Sequence, residues 1–323
     1  MYAMVVRAPV GPGALERVEA PDPVPGPGQV LVDVRACGCN FGDLLITQGK
    51  YQLRPEPPFS PGSEVCGVVR EVGPGVAGIA AGQRVFAVLP WGGYASAVLA
   101  PAAAVVGIPD AMTFVEGAAF GVAYQTAWLA LVDRAHTRAG ETVLVHGAAG
   151  GVGLAAVEVA AALGARVVAT ARGEDKLALV RSRGATLACD SDGDWPAIVR
   201  AATDGAGADV VYDPIGGETF EQSTRALAFG GRLLVIGFAS GDIPTLRMNR
   251  VLLKNIAVVG LNWGAYRDEH PELLAAATAE LFALHAAGRI RPLVSSTWPL
   301  VDAGRALEEI ASRRSTGKVV LIP

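Results

Sequence analysis

The sequence predicts a two-domain α/β protein in which a small β domain is followed by a doubly wound domain built on a parallel sheet. The first observation is length: the chain has 323 residues, and at roughly 150 residues per domain this suffices for two cores. The second is a change of hydrophobic pattern at about Thr142, where short apolar runs between turn residues give way to apolar runs that alternate with helical segments.

The part of the chain up to about Pro101 predicts the β domain. It is rich in Pro and Gly and contains the short apolar runs GQVLVDVRACG, EVCGVVREVG, QRVFAVL and GYASAVLA. Runs bounded by turn residues are typical of strands in a small, partly open barrel. The segment NFGDLLITQGKY differs, because its apolar residues have helical spacing and Asn40 precedes them as a plausible N-cap. We therefore expect a short helix among the strands.

The part of the chain from Thr142 onward predicts the doubly wound domain. The apolar runs TVLVHGA, ARVVATA, TLACD, ADVVYDP, GRLLVIG and IAVVGLN are separated by helical segments such as GGVGLAAVEVAAALG. Continuous apolar runs that alternate with helices indicate a parallel sheet covered on both faces. A later amphipathic helix at about residues 271–287 leads to a last helix and the strand GKVVLIP, which we interpret as a return to the first domain.

Composition and charge narrow the range of partners. The formal net charge is −4 and is spread without runs, so we expect neither nucleic acid nor an anionic membrane surface as a partner, and a small molecule fits better. The weakly polar stretch 143–171 contains glycines, Glu158 and Arg166, which favours a buried strand, turn and helix over a membrane span. The start MYAMVVRAPV does not resemble a secretion signal, so we expect a cytoplasmic protein with reduced cysteines.

The glycine-rich turn in VLVHGAAGGVGLAAVEVAAALGARVVATA is the strongest functional signal. Its glycines stand where a strand becomes a helix, so backbone amides can approach a pyrophosphate and the helix N-terminus can stabilise its charge. Ala148 stands where the first glycine of the G-x-G-x-x-G pattern belongs, and a purely structural turn is the alternative. The predicted cofactor-binding residues of this turn are Ala149, Gly150, Gly151, Val152 and Gly153.

The residues after the next strand bear on the choice of dinucleotide. An NAD site usually has an acid there for the ribose hydroxyls, whereas the 2′-phosphate of NADPH needs cationic donors. Arg172 and Lys176 can flank a phosphate, and Glu174 and Asp175 fall in the first helical turn, where acids are favoured locally. NADPH is therefore the favoured cofactor. The alternative is that Arg172 and Lys176 belong to an ordinary solvated helix start.

Several other residues stand at the ends of predicted strands or are aromatic. Gly237 and Phe238 end a strand, where ligands of open α/β sheets collect. Asp213 also ends a strand, although it is equally suited to cap the following turn. Apolar walls for a flat substrate can come from aromatic side chains, which are as often found in a core. The candidates are Trp91, Tyr94 and Trp263.

The chain resembles the zinc-independent quinone oxidoreductase branch of the medium-chain dehydrogenase/reductase superfamily. The segments that carry the resemblance are ACGCNFGDLLITQGKY, PGSEVCGVV, VHGAAGGVG, YDPIGG, GRLLVIGFASG and STGKVVLIP. The resemblance implies a GroES-like β-barrel catalytic domain formed by residues 1–120 and 264–323, with a Rossmann domain at 121–263. It also implies that NADPH reduces a quinone or an activated alkene between them.

The same resemblance bears on metal binding. Zinc-dependent relatives would have two catalytic ligands, Cys at the position of Asn40 and His at the position of Ser63, and this chain has neither. They would also have four closely spaced cysteines in a structural zinc lobe, and the corresponding segment RVFAVLPWGGYASAVL contains no cysteine. Cys37, Cys39 and Cys66 form no C-x-x-C pair, and buried core thiols are the simpler explanation. We expect no metal, and a local polar contact for Glu64.

Without a metal, reduction needs a hydride from the nicotinamide and hydrogen-bond donors for the negative charge on the substrate oxygen. Tyr51 is the first candidate, because an ordinary tyrosine is a neutral donor at working pH; by resemblance it matches the tyrosine that enoyl-thioester reductases use. Asn40 and Thr126 match residues near the nicotinamide. The alternatives are that Tyr51 only packs, that Asn40 only caps a helix and that Thr126 is an ordinary helix residue. Asp43 is expected to fix the local backbone.

Three further expectations depend on the resemblance. Many NADPH-using relatives have a tyrosine after the third Rossmann strand that packs near the adenine, where this chain has Asp190; this difference counts modestly against NADPH and does not affect the hydride chemistry. The segment IAVVGLN is expected to form an edge strand that pairs in a homodimer. Two other functions stay open: an enoyl-thioester reductase, and a cofactor-binding sensor or structural protein without turnover. The thioester reductase would need a basic entrance, for which the candidates are Arg247, Arg250, Lys254 and Arg267.

Overall fold

A computed structural model describes residues 1–323 of the chain. The chain divides into two compact units. The first unit contains Met1–Val122, Arg267–Pro271 and Pro292–Pro323, and the second contains Ala123–Tyr266 and Glu272–Arg291. None of the helices combines the length and the apolar composition that crossing a membrane requires.

The helices and strands follow one another along the chain in this order. The first are β1 (Tyr2–Val6), β2 (Leu15–Glu19), β3 (Gln29–Cys39), α1 (Phe41–Thr47), β4 (Glu64–Val72), β5 (Arg84–Val88), β6 (Ala97–Pro101), β7 (Val105–Gly107) and α2 (Phe114–Ala118). Then come α3 (Gly121–Trp128), β8 (Thr142–Val145), α4 (Gly151–Ala162), β9 (Arg166–Ala171), α5 (Glu174–Ser182), β10 (Leu187–Asp190), α6 (Trp195–Ala202), β11 (Ala208–Asp213), α7 (Gly217–Ala226), β12 (Leu227–Val235), α8 (Met248–Lys254), β13 (Ala257–Gly260), α9 (Trp263–Glu269) and α10 (Pro271–Ala286). The last are β14 (Val294–Pro299), α11 (Ala303–Ala311) and β15 (Lys318–Ile322).

The first unit is built on a sheet in the order β14-β15-β3-β4-β5-β7, with β6 also paired to β3 and a separate β1-β2 pair. The prediction of a small β domain with one short inserted helix is confirmed, because α1 follows β3 directly. The long strand β3 lies between the N-terminal strand β4 and the C-terminal strand β15. Its last residues therefore meet the first residues of both neighbours.

Gly38 shows why the end of β3 accepts only glycine. It lies opposite Glu64 in the register of β3 and β4. A Cβ at Gly38 would overlap the carbonyl oxygen of Ala118 and the carboxylate of Glu64. The absence of a side chain allows α2 and the Glu64 carboxylate to lie against the strand. This close approach positions Glu64 beside Asn40.

The second unit is a parallel sheet in the order β10-β9-β8-β11-β12-β13, which confirms the predicted doubly wound domain. Every neighbouring pair in it is parallel. The central strands β8 and β11 are almost fully buried, as expected for strands covered on both faces. All carboxyl ends of the strands lie at one edge of such a sheet, which is where open α/β sheets bind ligands.

Helix α10 differs from the predicted domain boundaries. The sequence placed residues 264–323 in the first domain, but 272–291 pack in the second unit. Gln125 donates a hydrogen bond to Thr278 (2.9 Å), and Trp128 donates one to Glu280 (2.8 Å). These contacts, together with a buried apolar face, hold α10 to α3. A periodic apolar pattern predicts a helix but does not say against which core it packs.

Candidate functional site

The N-terminus of α4 lacks a cap. Gly150 occupies the N-cap position without a side-chain hydrogen bond. The first backbone hydrogen bond of the helix is donated by the amide of Leu154 to the carbonyl of Gly150 (2.8 Å). The amides of Gly151, Val152 and Gly153 have no acceptor within the protein. Unsatisfied amides at the positive end of a helix dipole form an anion-binding site. The predicted glycine turn therefore has the donors that a pyrophosphate requires.

The glycines of this turn have different reasons for being glycine. A Cβ at Gly153 would overlap the carbonyl oxygen of Gly147, so the turn itself requires glycine there. A Cβ at Gly150 would meet only the Gly147 carbonyl oxygen, at 3.4 Å. Ala148, which stands where the first glycine was expected, is buried and donates its amide to the carbonyl of Thr170 (3.0 Å). Gly153 is therefore required by the packing of the turn itself, whereas the Cα of Gly150 faces space in which a ligand can approach the backbone.

Arg172 and Lys176 lie together beyond the end of β9. Burial and then the charge of Arg172 lower the pKa of Lys176. Arg172 also donates to Asp192, at 2.7 Å, in an ion pair whose side chains are 68% and 60% exposed. Two neighbouring cations suit a phosphate, and the counter-ion of Arg172 is the carboxylate of Asp192. Asp192 was not singled out from the sequence, because nothing in the sequence places it beside Arg172.

The other predicted residues of the second unit are placed as follows. Gly237 and Phe238 follow β12 at the same edge of the sheet as the glycine turn, and Phe238 is 37% exposed. Thr126 is buried on α3. Asp213 accepts hydrogen bonds from the amides of Ile215 (2.8 Å) and Gly216 (3.0 Å). Asp213 therefore caps the turn after β11, which was one of its two interpretations.

In the first unit, Asn40, Ser63, Glu64 and Lys318 form a hydrogen-bonded group that we call the Asn40 cluster. The Asn40 side-chain amide donates to Ser63 Oγ (3.1 Å) and to Glu64 Oε1 (2.9 Å). Lys318 Nζ donates to Asn40 Oδ1 (2.6 Å) and forms an ion pair with Glu64 Oε1. Glu64 Oε2 accepts the amide of Val122 (2.9 Å). Both N–H groups of the Asn40 amide are therefore committed, and its Oδ1 accepts from Lys318.

Asp43 lies beneath this cluster and is 1% exposed. Its Oδ2 accepts the backbone amide of Asn40 (2.8 Å) and lies 3.4 Å from the hydroxyl of Tyr94, whereas Oδ1 has no partner. Burial raises the pKa of Asp43 to about 6. Asp43 holds the start of α1, as expected. Tyr94 is fully buried and belongs to the core, while Trp91 remains 39% exposed.

Tyr51 is half-buried beside the first turn of α1. A Cβ at Gly42 would lie 3.4 Å from the Tyr51 ring and 3.5 Å from its hydroxyl. The ring packs against Val6, Ile46 and Phe59. Burial and then the charge of Asp43 raise the pKa of Tyr51. The phenol is therefore protonated, and a hydrogen-bond donor, at neutral pH.

The residues of the first unit do not fit a catalytic zinc. Zinc is bound by thiolates, imidazoles and carboxylates, whereas the Asn40 cluster consists of an amide, a hydroxyl, an ammonium and a single carboxylate. The carboxylate of Glu64 already bonds an ammonium and an amide. No group of three His, Cys, Asp or Glu side chains in residues 1–323 has metal-binding geometry. The local polar contact expected for Glu64 is the Asn40 cluster.

Lys318 is the residue that the sequence analysis missed. It stands at the head of the apolar strand KVVLI and is 5% exposed. A lysine at such a position needs a buried partner, so a lone cation in an apolar strand was the available signal. Of the four cations considered for a basic entrance, three are used locally. Arg250 bonds to Glu221 and Thr224, Lys254 bonds to the carbonyls of Arg225 and Leu227, and Arg267 pairs with Asp268.

Comparisons with known proteins agree with this architecture. The family model described as "Alcohol dehydrogenase GroES-like domain" matches residues 26–110, and the model described as "Zinc-binding dehydrogenase" matches residues 151–279. A protein of Nematostella vectensis named "Quinone oxidoreductase-like protein 2 homolog" is 40% identical over 300 residues, which cover 92% of this chain and 82% of the relative.

Solved structures give the same picture. The quinone oxidoreductase of Escherichia coli complexed with NADPH aligns with a TM-score of 0.93 at 32% identity, covering 100% of both chains. That of Thermus thermophilus, described together with its NADPH complex, aligns with a TM-score of 0.85 at 38% identity, also over 100% of both chains. A GroES-like domain joined to a Rossmann domain defines an oxidoreductase of the medium-chain dehydrogenase/reductase class. Within that superfamily, the chain belongs to the zinc-independent quinone oxidoreductase branch.

Proposed function

We propose that the protein is an NADPH-dependent, zinc-independent reductase that transfers a hydride to a quinone or an α,β-unsaturated carbonyl compound. The observation that carries the proposal is the uncapped N-terminus of α4, where the amides of Gly151, Val152 and Gly153 have no acceptor. Arg172 and Lys176 stand at the same edge of the sheet, beyond β9. Relatives that align over their whole length were solved with NADPH.

Each part of the cofactor has candidate residues. Ala149, Gly150, Gly151, Val152 and Gly153 would hold the pyrophosphate through backbone amides. Arg172 and Lys176 would hold the 2′-phosphate, since two cations suit a dianion. Thr126, Gly237 and Phe238 would contact the nicotinamide half, and Asn40 would lie near the nicotinamide. When bound, NADPH supplies the hydride.

The role of Tyr51 is to stabilise the product of that transfer. Hydride addition to an enone or quinone leaves negative charge on the substrate oxygen, and a positioned donor lowers the energy of this charge. The phenol of Tyr51 is such a donor, because its raised pKa keeps it protonated. Lys318 and Glu64 would act as positioning residues, since they hold the side chain of Asn40.

We also propose that the protein is a homodimer that pairs through β13. This strand ends the sheet of the second unit, and its Val258 is 39% exposed. Leu252 and Leu253 on the adjacent α8 are each 74% exposed. An exposed, apolar edge strand favours pairing with its own copy. Light scattering should give the mass of a dimer for the wild type and that of a monomer for Val258→Glu. The control Val10→Glu, at a 78% exposed position of the first unit, should remain a dimer. A monomeric wild type would contradict pairing.

The reductase is tested by binding and by turnover together. NADPH and NADH are titrated by calorimetry, and consumption of the reduced nicotinamide is then followed with ortho- and para-quinones, simple enones and a crotonyl thioester, each with and without a chelator. We expect NADPH-selective turnover of quinones or enones that the chelator does not change. Tight NADPH binding without turnover of any acceptor would favour a sensor, and turnover of the thioester alone would favour an enoyl-thioester reductase.

A further inference from the structure

We propose that Asp192 sets the cofactor preference of this protein by competing with the 2′-phosphate of NADPH for Arg172. The inference rests on the proposed function, in which Arg172 and Lys176 bind that phosphate. Its basis is the ion pair between Arg172 and Asp192, 2.7 Å long, at the carboxyl edge of the second unit's sheet. The carboxylate of Asp192 is the counter-ion that an incoming phosphate must displace.

The backbone holds Asp192 in this position. The register of the parallel strands β9 and β10 places Asp190 opposite Ala171, so the residues that follow each strand are neighbours. The amide of Ser191 donates to the Ala171 carbonyl (3.0 Å). The carboxylate of Asp190 accepts the amide of Asp192 (2.9 Å). These two hydrogen bonds hold the turn after β10 so that the side chain of Asp192 lies beside that of Arg172.

Asp192 and the 2′-phosphate compete for Arg172, and the phosphate can displace the carboxylate because the Arg172–Asp192 ion pair is weak. Both side chains are more than half exposed, and ion pairs between exposed groups are weak enough for a ligand to displace. A phosphate carries close to two charges and accepts two parallel bonds from a guanidinium, so it is the stronger partner. The phosphate can bind Arg172 only after this ion pair is broken, however, and breaking it costs part of the binding free energy. The acid therefore lowers the affinity for NADPH and leaves the affinity for NADH almost unchanged.

The experiment uses two fragments that differ only in this phosphate. Calorimetry measures 2′,5′-ADP and 5′-AMP binding to the wild type, Asp192→Asn, Arg172→Met and the double variant. The charge-matched control is Asp204→Asn. Asp204 is exposed, precedes β11 at the opposite edge of the sheet and has φ 50°, a conformation that Asn accepts.

We expect Asp192→Asn to tighten 2′,5′-ADP binding about 3- to 10-fold and to change 5′-AMP binding less than about 2-fold. Arg172→Met should abolish this gain, because the competition passes through Arg172. Asp204→Asn should have no effect. Unchanged or weaker 2′,5′-ADP binding to Asp192→Asn, an equal gain for both fragments, or a gain that persists without Arg172 would overturn the inference. A wild type that binds both fragments equally would instead contradict NADPH as the proposed cofactor.

Discussion

The ammonium of Lys318 and the carboxylate of Glu64, 254 residues apart in the sequence, form an ion pair whose side chains are only 6% and 2% exposed. The pair joins the first residue of β15 to the first residue of β4, on either side of the end of β3. Asn40 lies at that end and bonds to both members of the pair. The orientation of Asn40 therefore depends on a contact between distant parts of the first unit.

Removing one member of this pair should be far more costly than removing both. Lys318→Met or Glu64→Gln leaves the other polar group buried without its counter-charge, and we expect each to lower the free energy of unfolding by about 3–5 kcal/mol. The double variant should lose less than either single variant. Denaturant unfolding measures all three. Arg7→Met is the matched control, because the Arg7–Glu16 pair is 60% and 57% exposed and should contribute less than about 1 kcal/mol. Additive losses in the double variant would show that the two groups are not coupled.

Two buried groups should give the stability opposite dependences on pH. His146 lies between Thr170 (2.9 Å) and Ser223 (2.8 Å), and burial lowers its pKa from 6.5 to about 3. Below pH 6.5 the imidazole is protonated in the unfolded chain but stays neutral in the native state. The contribution of His146 to the free energy of unfolding is therefore present above pH 6.5 and is lost as the pH falls towards 3. Asp43 has its pKa raised from 3.8 to about 6. Its native state holds a proton that the unfolded chain releases, so its contribution is present below pH 3.8 and lost as pH rises through 6.

The variants separate these two contributions. Between pH 6 and pH 4, the stability of His146→Asn relative to the wild type should improve on acidification, by up to about 1.4 kcal/mol per pH unit. The relative stability of Asp43→Asn should worsen by a similar slope. Urea unfolding at several pH values gives both differences. Parallel curves for the wild type and either variant would mean that the group titrates alike in the native and unfolded states.

Two glycines of the cofactor turn should respond differently to the same substitution. Gly153→Ala places a Cβ against the Gly147 carbonyl, so we expect a destabilised protein. Gly150→Ala meets only one atom, at 3.4 Å, so it should keep wild-type stability and lose affinity for NADPH through crowding at the pyrophosphate. Thermal unfolding and calorimetric titration measure the two effects. Gly13→Ala, whose Cβ would have its nearest neighbour at 3.9 Å, is the control. Full NADPH affinity in Gly150→Ala would argue against a pyrophosphate at this turn.

Tyr51→Phe isolates the proposed proton donor. The substitution keeps the ring packed against Val6, Ile46 and Phe59 and removes only the hydroxyl. We expect kcat to fall on the order of 100-fold or more, because a positioned acid contributes that much, with NADPH affinity unchanged. Tyr2→Phe, on β1, should leave kcat as it is. A kcat for Tyr51→Phe within about 2-fold of the wild type would leave Tyr51 with a packing role only.

The sequence predicted the parts of the fold that local patterns specify. The alternation of apolar runs with helices gave the parallel sheet, and the glycines after β8 gave the turn before α4. The packing of α10 was predicted wrongly, because its apolar face alone does not distinguish the two cores. The Asn40 cluster was missed in part because Asn40 and Lys318, which share a hydrogen bond, are 278 residues apart in the sequence. The Arg172–Asp192 pair needed the register of β9 and β10, which neither strand's own sequence contains.

The most direct measurement of the central claim follows the hydride itself. NADPH deuterated at the transferred position, in each of its two stereoisomers, is incubated with the dialysed protein, a chelator and the enone or quinone it reduces best, and the products are analysed by mass spectrometry and NMR. With an enone, we expect one stereoisomer to deliver its deuterium to the β-carbon, at a rate that the chelator does not change. An unlabelled enone product from both stereoisomers, or activity that the chelator abolishes and zinc restores, would contradict a zinc-independent hydride reductase.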